Sequence, residues 1–482
     1  MKKYILSIDQ STSASKAFLV DETGAIVRRA SRPHQQYYPK DGWAEHDAEE
    51  IWQNVCAIMD DVSEGVIDEI AAVSIANQRE TCVLWDRATG KPVHRAIVWQ
   101  DVRGRDICEA LIDRNEYVLA TTGMALSPYY PAGKVAHLLN ERGDIRERCA
   151  KGEICMGTID SWLVFNMTGR HVSDLSNASR TQLLNLRKLE WDDGLIEMFG
   201  LYRSMLPEIL PTDGDFGTWK GIPITGVMGD SHATLFGQGC VVPGSMKVSY
   251  GTGSSVMMNI GHEPHISESG ALTTAISFNY GGKVHYQTEG NITCSCDTLV
   301  WLCREMGMFE SADEIERLAG TVEDAMGVCL VPALSGLGAP FFDVDARAVI
   351  CGLSRGTTKA HVARAALESV AQRDADVVEA MTAFTGSVPA YMMADGGGAK
   401  NALMMQLQAD LAGCEVRCSA AGELSALGAA YMAGLKTGVY ASLEDIPARH
   451  APMRIYRPEM DALKKNEMRA AWAKAIQRAR LK

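Results

Sequence analysis

Each half of this chain opens with the same three-part unit: an apolar strand, a turn of very small residues and a return strand. Near the start, residues 4–8 are apolar and β-rich, Ser11-Thr12-Ser13-Ala14-Ser15 is the turn, and residues 17–20 run back. Further along, residues 245–250 form the strand, Gly251-Thr252-Gly253-Ser254-Ser255 the turn and residues 256–260 the return. A recurring hairpin of this kind points to a duplicated domain. The length of 482 residues is also too great for one ordinary core. Val241-Val242-Pro243-Gly244 punctuates the chain before the second hairpin, which divides it into 1–242 and 243–482. Between the hairpins, strand and helix patterns alternate. Asp47 is placed to cap a helix with Ile51, Val55, Ile58, Met59 and Val62 on one face, and residues 71–76 read as a buried strand. Residues 360–382 and 399–412 read as helices. The expected fold class is α/β with two domains.

The bulk properties exclude several kinds of partner. A formal net charge of -13 repels nucleic acid and anionic lipid, so neither is expected. The first apolar run is too short for a signal peptide or a membrane span, and Asp9 interrupts it. The 13 cysteines are odd in number and show neither disulfide nor zinc spacing, as expected of reduced thiols in a cytoplasmic protein.

Four groups of residues could carry chemistry. The two small-residue turns could clamp phosphates through backbone N–H groups and hydroxyls, with Lys16 reaching a phosphate and Asp9 holding Mg²⁺ through water. They could equally be surface hairpins. Asp230 follows the apolar strand that ends at Gly229, and it reads either as a helix cap or as a general base. Asn77-Gln78-Arg79-Glu80-Thr81 follows a buried strand. Arg79 and Glu80 could grip neighbouring hydroxyls of a polyol, or form a surface ion pair. Trp99 and Tyr129 could wall an acceptor pocket or be ordinary core aromatics. The chain contains neither a Gly-x-x-x-x-Gly-Lys-Ser/Thr loop nor the His-Arg-Asp set of protein kinases.

Together, and in this order, these pieces resemble the FGGY family of carbohydrate kinases, most closely its glycerol kinase branch. The resemblance runs over nearly the whole chain. It rests on Ile8 to Thr12, Gly42 to Asp47, Asn77 to Thr81, Ala96 to Gln100, Pro128-Tyr129, Asp160 to Leu163, Asn177 to Thr181, Gly229-Asp230, Gly251 to Gly253, Gly336 to Pro340 and Asp395 to Gly397 with Asn401. It implies two actin-like (ribonuclease H-like) ATPase domains with a cleft between them, and an ATP- and Mg²⁺-dependent kinase of a small polyol or sugar. By the same resemblance Asp230 is the base. Arg79, Glu80, Trp99, Tyr129 and Ser231 line the acceptor site, and Thr12, Ser13, Lys16, Thr252 and Gly253 hold phosphates. Asp9 assists the metal, and Gly397 and Asn401 contact the nucleoside. A homo-oligomer, dimer or tetramer, is also implied. The rival readings are an actin-like ATPase and a sugar-sensing pseudokinase.

The sequence departs from the branch at identifiable places. Ser11 stands for a Gly, Ser231 for a Gln beside the base, Ser255 for a Phe against the acceptor, His137 for a Trp, and Cys296 and Val300 for a Gly and a Gln near the nucleotide. Ser231 and Ser255 remove volume, which suggests an acceptor of four or five carbons. The resemblance to that branch would imply, as in its enteric members, a basic, glycine-rich loop that helps bind fructose 1,6-bisphosphate; here Asp215 to Gly221 is shorter and lacks Arg, so that inhibition is not expected.

Overall fold

The computed structural model describes residues 2–386, 388–419, 422–446 and 454–481. Two large sheets organise the chain. In the first, Ile26–Pro33, Ala14–Val20 and Tyr4–Gln10 lie side by side as an antiparallel run. Ile70–Asn77 and then Ile222–Gly229 continue the sheet in parallel with Tyr4–Gln10. The second sheet repeats this pattern. Lys283–Ile292, Ser254–Gly261 and Ser245–Tyr250 form the antiparallel run, and Tyr391–Gly396 and Glu415–Cys418 add in parallel. The duplication suggested by the two hairpins is therefore a duplication of whole sheets.

Local sequence accounts for the elements. Asp47 caps the helix Ala48–Ser63, its carboxylate accepting the N–H groups of Glu49 and Glu50. That helix buries Ile51, Val55, Ile58 and Met59 against Leu6, Ile8, Leu19, Val73 and Ile75 of the first sheet. Because side chains alternate along a strand, Ile5 and Phe18 face the other way. They pack against Leu424–Thr437, a helix from the second half of the chain, with Ala426, Leu427, Ala430 and Tyr431 in the contact. This helix also lies against Asp230–Gly237 so closely that a Cβ at Gly428 would stand 1.8 Å from the Ala233 carbonyl oxygen. The division at 242 is thus bridged by packing: a late helix completes the core of the first sheet.

The second sheet has one apolar face and one mixed face, where Met257 and Met393 pack with Leu235 and Cys240. Met246, Val248, Tyr250, Val256, Met392 and Ala394 pack under the helices Lys359–Thr385 and Ala402–Ala412. Lys247, Ser249, Ser255, Glu289, Asn291 and Asp395 alternate with these and share the opposite face. Among the described residues no helix is long and apolar enough to cross a membrane.

Candidate active site

The parallel strands of the first sheet end at Gln10, Asn77 and Gly229, and the acidic and basic candidates stand at or just beyond these ends. Strand ends are where α/β folds place ligands, because the backbone there turns away and leaves polar groups uncovered. Asp230 is the first residue of its helix. The cap position belongs to Gly229, which makes no side-chain cap bond, so Asp230 is not an N-cap. Its Oδ1 accepts from Ser231 N at 2.6 Å and Ser231 Oγ at 3.2 Å. Its side chain is 32% exposed, and Arg79 Nε lies 3.6 Å from Oδ1. Burial raises its pKa, against the opposing pull of Arg79. Such a carboxylate is aimed at an opening and is a better proton acceptor than a fully solvated one.

Arg79 and Glu80 are buried rather than on the surface. Both terminal nitrogens of Arg79 donate to Glu289, at 2.9 and 3.0 Å. Glu80 accepts from Arg180 Nε at 2.5 Å, and Arg180 Nη1 stands 3.2 Å from Glu289. Two carboxylates and two guanidiniums thus form a closed quartet. Glu289 belongs to the second sheet, so the quartet joins the two halves. Burial disfavours the Glu289 charge, but Arg79 and Arg180 outweigh it and hold the carboxyl well below its ordinary range. The Arg79–Glu289 pair leaves Arg79 Nε facing Asp230.

Trp99 and Tyr129 meet edge to face at 5.8 Å, and the indole N–H of Trp99 donates to Thr12 Oγ1 at 2.9 Å. The aromatic wall and the first turn are therefore one unit. Lys134 is fully buried behind them and donates to the carbonyls of Val98 and Trp99 at 3.0 and 2.8 Å. Ser13 is exposed at the tip of the turn. Asp9 and Lys16 are register partners, with Nζ 3.9 Å from Oδ2. Asp9 Oδ1 is buried without a hydrogen-bond partner. Burial, reinforced by Asp230 and Glu423 and opposed by Lys16, raises the Asp9 pKa to about 7.

In the second half, Thr252 is exposed at the turn after Ser245–Tyr250. A Cβ on Gly253 would meet the Ile292 carbonyl at 2.3 Å, so this glycine is required by its own backbone neighbour. Gly397 follows Tyr391–Gly396 and has open space where a Cβ would be. Asn401 caps the next helix by accepting from Met404 N at 2.8 Å, which leaves its amide N–H₂ for a ligand. Cys296 packs against the same segment, 2.6 Å from the position of a Cβ on Gly398, while Val300 is largely exposed.

Sequence reasoning assigned no role to Glu289, Arg180 or Glu423. Arg180 lies in a quoted motif, but its partner Glu80 is 100 residues away, and Glu289 is 210 residues from Arg79. No local pattern announces such pairs. Among the described residues no group of three or more His, Cys, Asp or Glu side chains could hold a metal alone.

The duplicated sheets define a two-domain α/β protein of the actin-like ATPase class, with a small-residue turn on each sheet and a carboxylate at the strand ends of the first. Family models agree. Residues 4–237 match the N-terminal domain of the FGGY family of carbohydrate kinases, and residues 246–437 match its C-terminal domain. The chain is 44% identical to a glycerol kinase of Halorhodospira halophila, covering 99% of this chain and 97% of that one. It is 41% identical to glycerol kinase 2 of Thermotoga maritima over 99% of both. The crystal structure of Plasmodium falciparum glycerol kinase with ADP superposes with a TM-score of 0.95 at 33% identity, covering 99% of this chain and 98% of that one. A xylulose kinase from Lactobacillus acidophilus shares the fold, with a TM-score of 0.88 at 22% identity over 99% of this chain and 97% of that one. The chain belongs to the FGGY family of carbohydrate kinases. It is an ATP-dependent kinase of a small polyol or sugar, and nothing in the comparisons favours a pseudokinase.

Proposed function

We propose that this enzyme transfers the γ-phosphoryl group of ATP to a hydroxyl of glycerol. The observation that carries the reading is Asp230: a partly exposed carboxylate just past a strand end, 3.6 Å from a buried arginine. In this reading Asp230 accepts the acceptor proton as the loose phosphoryl transition state forms. Arg79, Glu80 and Ser231 orient the acceptor hydroxyls, and Trp99 and Tyr129 cover its carbon chain. Thr12, Ser13, Lys16, Thr252 and Gly253 hold phosphates, and Gly397 and Asn401 the nucleoside.

The orphaned buried oxygen of Asp9 fits a Mg²⁺ hydration shell. Mg²⁺ bound here with the nucleotide would neutralise phosphate charge, and Asp9 would fix it through water. The lobes are read as 1–242 for acceptor and base and 243–482 for nucleotide, with the helix Leu424–Thr437 serving the first core.

Glycerol replaces the longer acceptor expected from Ser231 and Ser255. That expectation needed a void. Met257 and His232, the side chains that could refill it, are both fully buried. The similarity to glycerol kinases supports the same choice. The test is ADP release with glycerol, erythritol, threitol, xylitol and ribitol. Glycerol should give the highest kcat/KM, and a clear lead for a four- or five-carbon polyol would overturn it. We also read the protein as a cytoplasmic homo-oligomer, for which light scattering on the purified protein is the check. All 13 cysteines are free, consistent with a reducing compartment.

A further inference from the structure

Asp9 and Lys16 stand at the open end of an otherwise apolar face. On that face Ile5, Phe18, Val20, Ala72 and Ala76 are sealed by the helix Leu424–Thr437, and Ser7 donates to the Ala426 carbonyl at 2.7 Å. The residue just ahead of the helix is Glu423. Its backbone is left-handed, with φ of 58°, an uncommon state for a side chain of this kind. Its Oε2 accepts from Lys16 Nζ at 2.8 Å, whereas Asp9 Oδ2 stands 3.9 Å from the same nitrogen. Lys16 and Glu423 are each 30% exposed, and Asp9 is 7% exposed.

Glu423 is also fixed relative to the base. Its helix touches the helix of Asp230 at Gly428 and Ala233, and Ser425 Oγ lies 3.4 Å from Thr234 Oγ1. The backbone that carries the carboxylate is therefore anchored to the helix of Asp230.

We propose that Glu423 is a positioning residue for phosphoryl transfer: it holds the Lys16 ammonium at the phosphate turn and away from Asp9. Of the two carboxylates beside Lys16, Glu423 takes the hydrogen bond, which leaves Asp9 Oδ2 outside hydrogen-bond reach of the lysine, and Asp9 Oδ1 has no partner either, so the carboxylate stays available to the hydrated Mg²⁺ of the nucleotide. Without Glu423, Asp9 is the nearest carboxylate to the lysine. Pairing there would neutralise the metal-assisting group and make the incoming phosphate compete for the lysine. The inference rests on the kinase reading and adds to it a residue from the opposite end of the chain, 407 positions from its partner.

The experiment compares the parent enzyme, Glu423→Gln, Lys16→Met and the double variant in steady-state kinetics with MgATP and glycerol. A charge-assisted hydrogen bond is worth roughly tenfold in binding. Glu423→Gln should raise the KM for MgATP, and the free Mg²⁺ giving half-maximal rate, by about that factor, leaving the glycerol KM within about twofold. The double variant should be no worse than Lys16→Met, because Glu423 acts through Lys16. Should Gln impair folding, Glu423→Asn is the neutral alternative, since Asn adopts the left-handed backbone readily, and the same pattern is expected. Losses that multiply in the double variant, a parallel rise in both KM values, or unchanged kinetics in a folded neutral variant would each overturn the proposal. A parent that releases no ADP with any acceptor would instead sink the kinase reading.

Discussion

Glu289→Gln tests the joint between the two sheets. The substitution keeps the size of the side chain and removes its charge. In the parent, Glu289 takes two bonds from Arg79 and one from Asn291 Nδ2 at 2.9 Å, and stands 3.2 Å from Arg180. All of this is out of water, with Glu289 at 1% and the two arginines at 7% and 2% exposure. Removing one partner of a buried pair costs about 3–5 kcal/mol, chiefly because the charge left behind stays buried. Here two guanidiniums would be left to share Glu80. The amide retains some hydrogen bonding, so the lower end, about 3 kcal/mol, is expected. For a chain of 482 residues that lowers Tm by roughly 3–4 °C. Scanning calorimetry at one fixed heating rate measures it.

The pH dependence has a definite sign. Because the folded carboxyl lies below its ordinary range, the stabilisation is fully present above the unfolded value of about 4.3. It is lost as pH falls through the folded value. The gap between parent and variant should therefore be constant from neutral pH down to about 5.5 and close only in stronger acid. A shift under about 1 °C at pH 7, or a gap that widens in acid, would refute the reasoning.

Three further outcomes follow. Asp9→Asn should melt above the parent at pH 8 while losing kinase activity: a raised folded pKa of about 7 means the parent loses stability as pH climbs from the unfolded value toward 7, so the gain should shrink at pH 5 in thermal melts. Gly251→Ala and Gly397→Ala should fold normally and weaken ATP binding, because an added Cβ meets nothing closer than 3.6 Å at the first and nothing within 4 Å at the second. Gly253→Ala should instead destabilise the protein outright, and calorimetry with nucleotide titration separates the two behaviours. Fructose 1,6-bisphosphate should not inhibit at low concentration, since the one lysine of the 215–221 segment, Lys220, is paired with Asp60 at 2.7 Å; a clear inhibition curve would refute this.

What could be read from sequence was local. The two hairpins, the Asp47 cap and the apolar face of Ala48–Ser63 depend on residues within one or two turns of each other, and each is present in the structure. Ile26–Pro33 runs through polar sequence, because pairing with Ala14–Val20 holds it in the sheet. Whether a gap stands beside Ser255 is beyond local reading for another reason. A pocket's volume depends on every side chain around it, and His232 and Met257 come from different elements. The same holds for the quartet, the Lys16–Glu423 pair and the late helix on the first sheet. All are contacts between distant segments, where one residue gives no hint of its partner.

The central claim is tested most directly by Asp230→Asn in an assay of phosphoryl transfer from ATP to glycerol. Asn keeps the shape of the side chain, its Ser231 contacts included, and cannot take the proton. Turnover should fall by roughly 10²–10⁴-fold, the usual contribution of a positioned base, while ATP affinity by calorimetric titration stays within about twofold. Turnover near that of the parent in the Asp230→Asn enzyme would contradict the account.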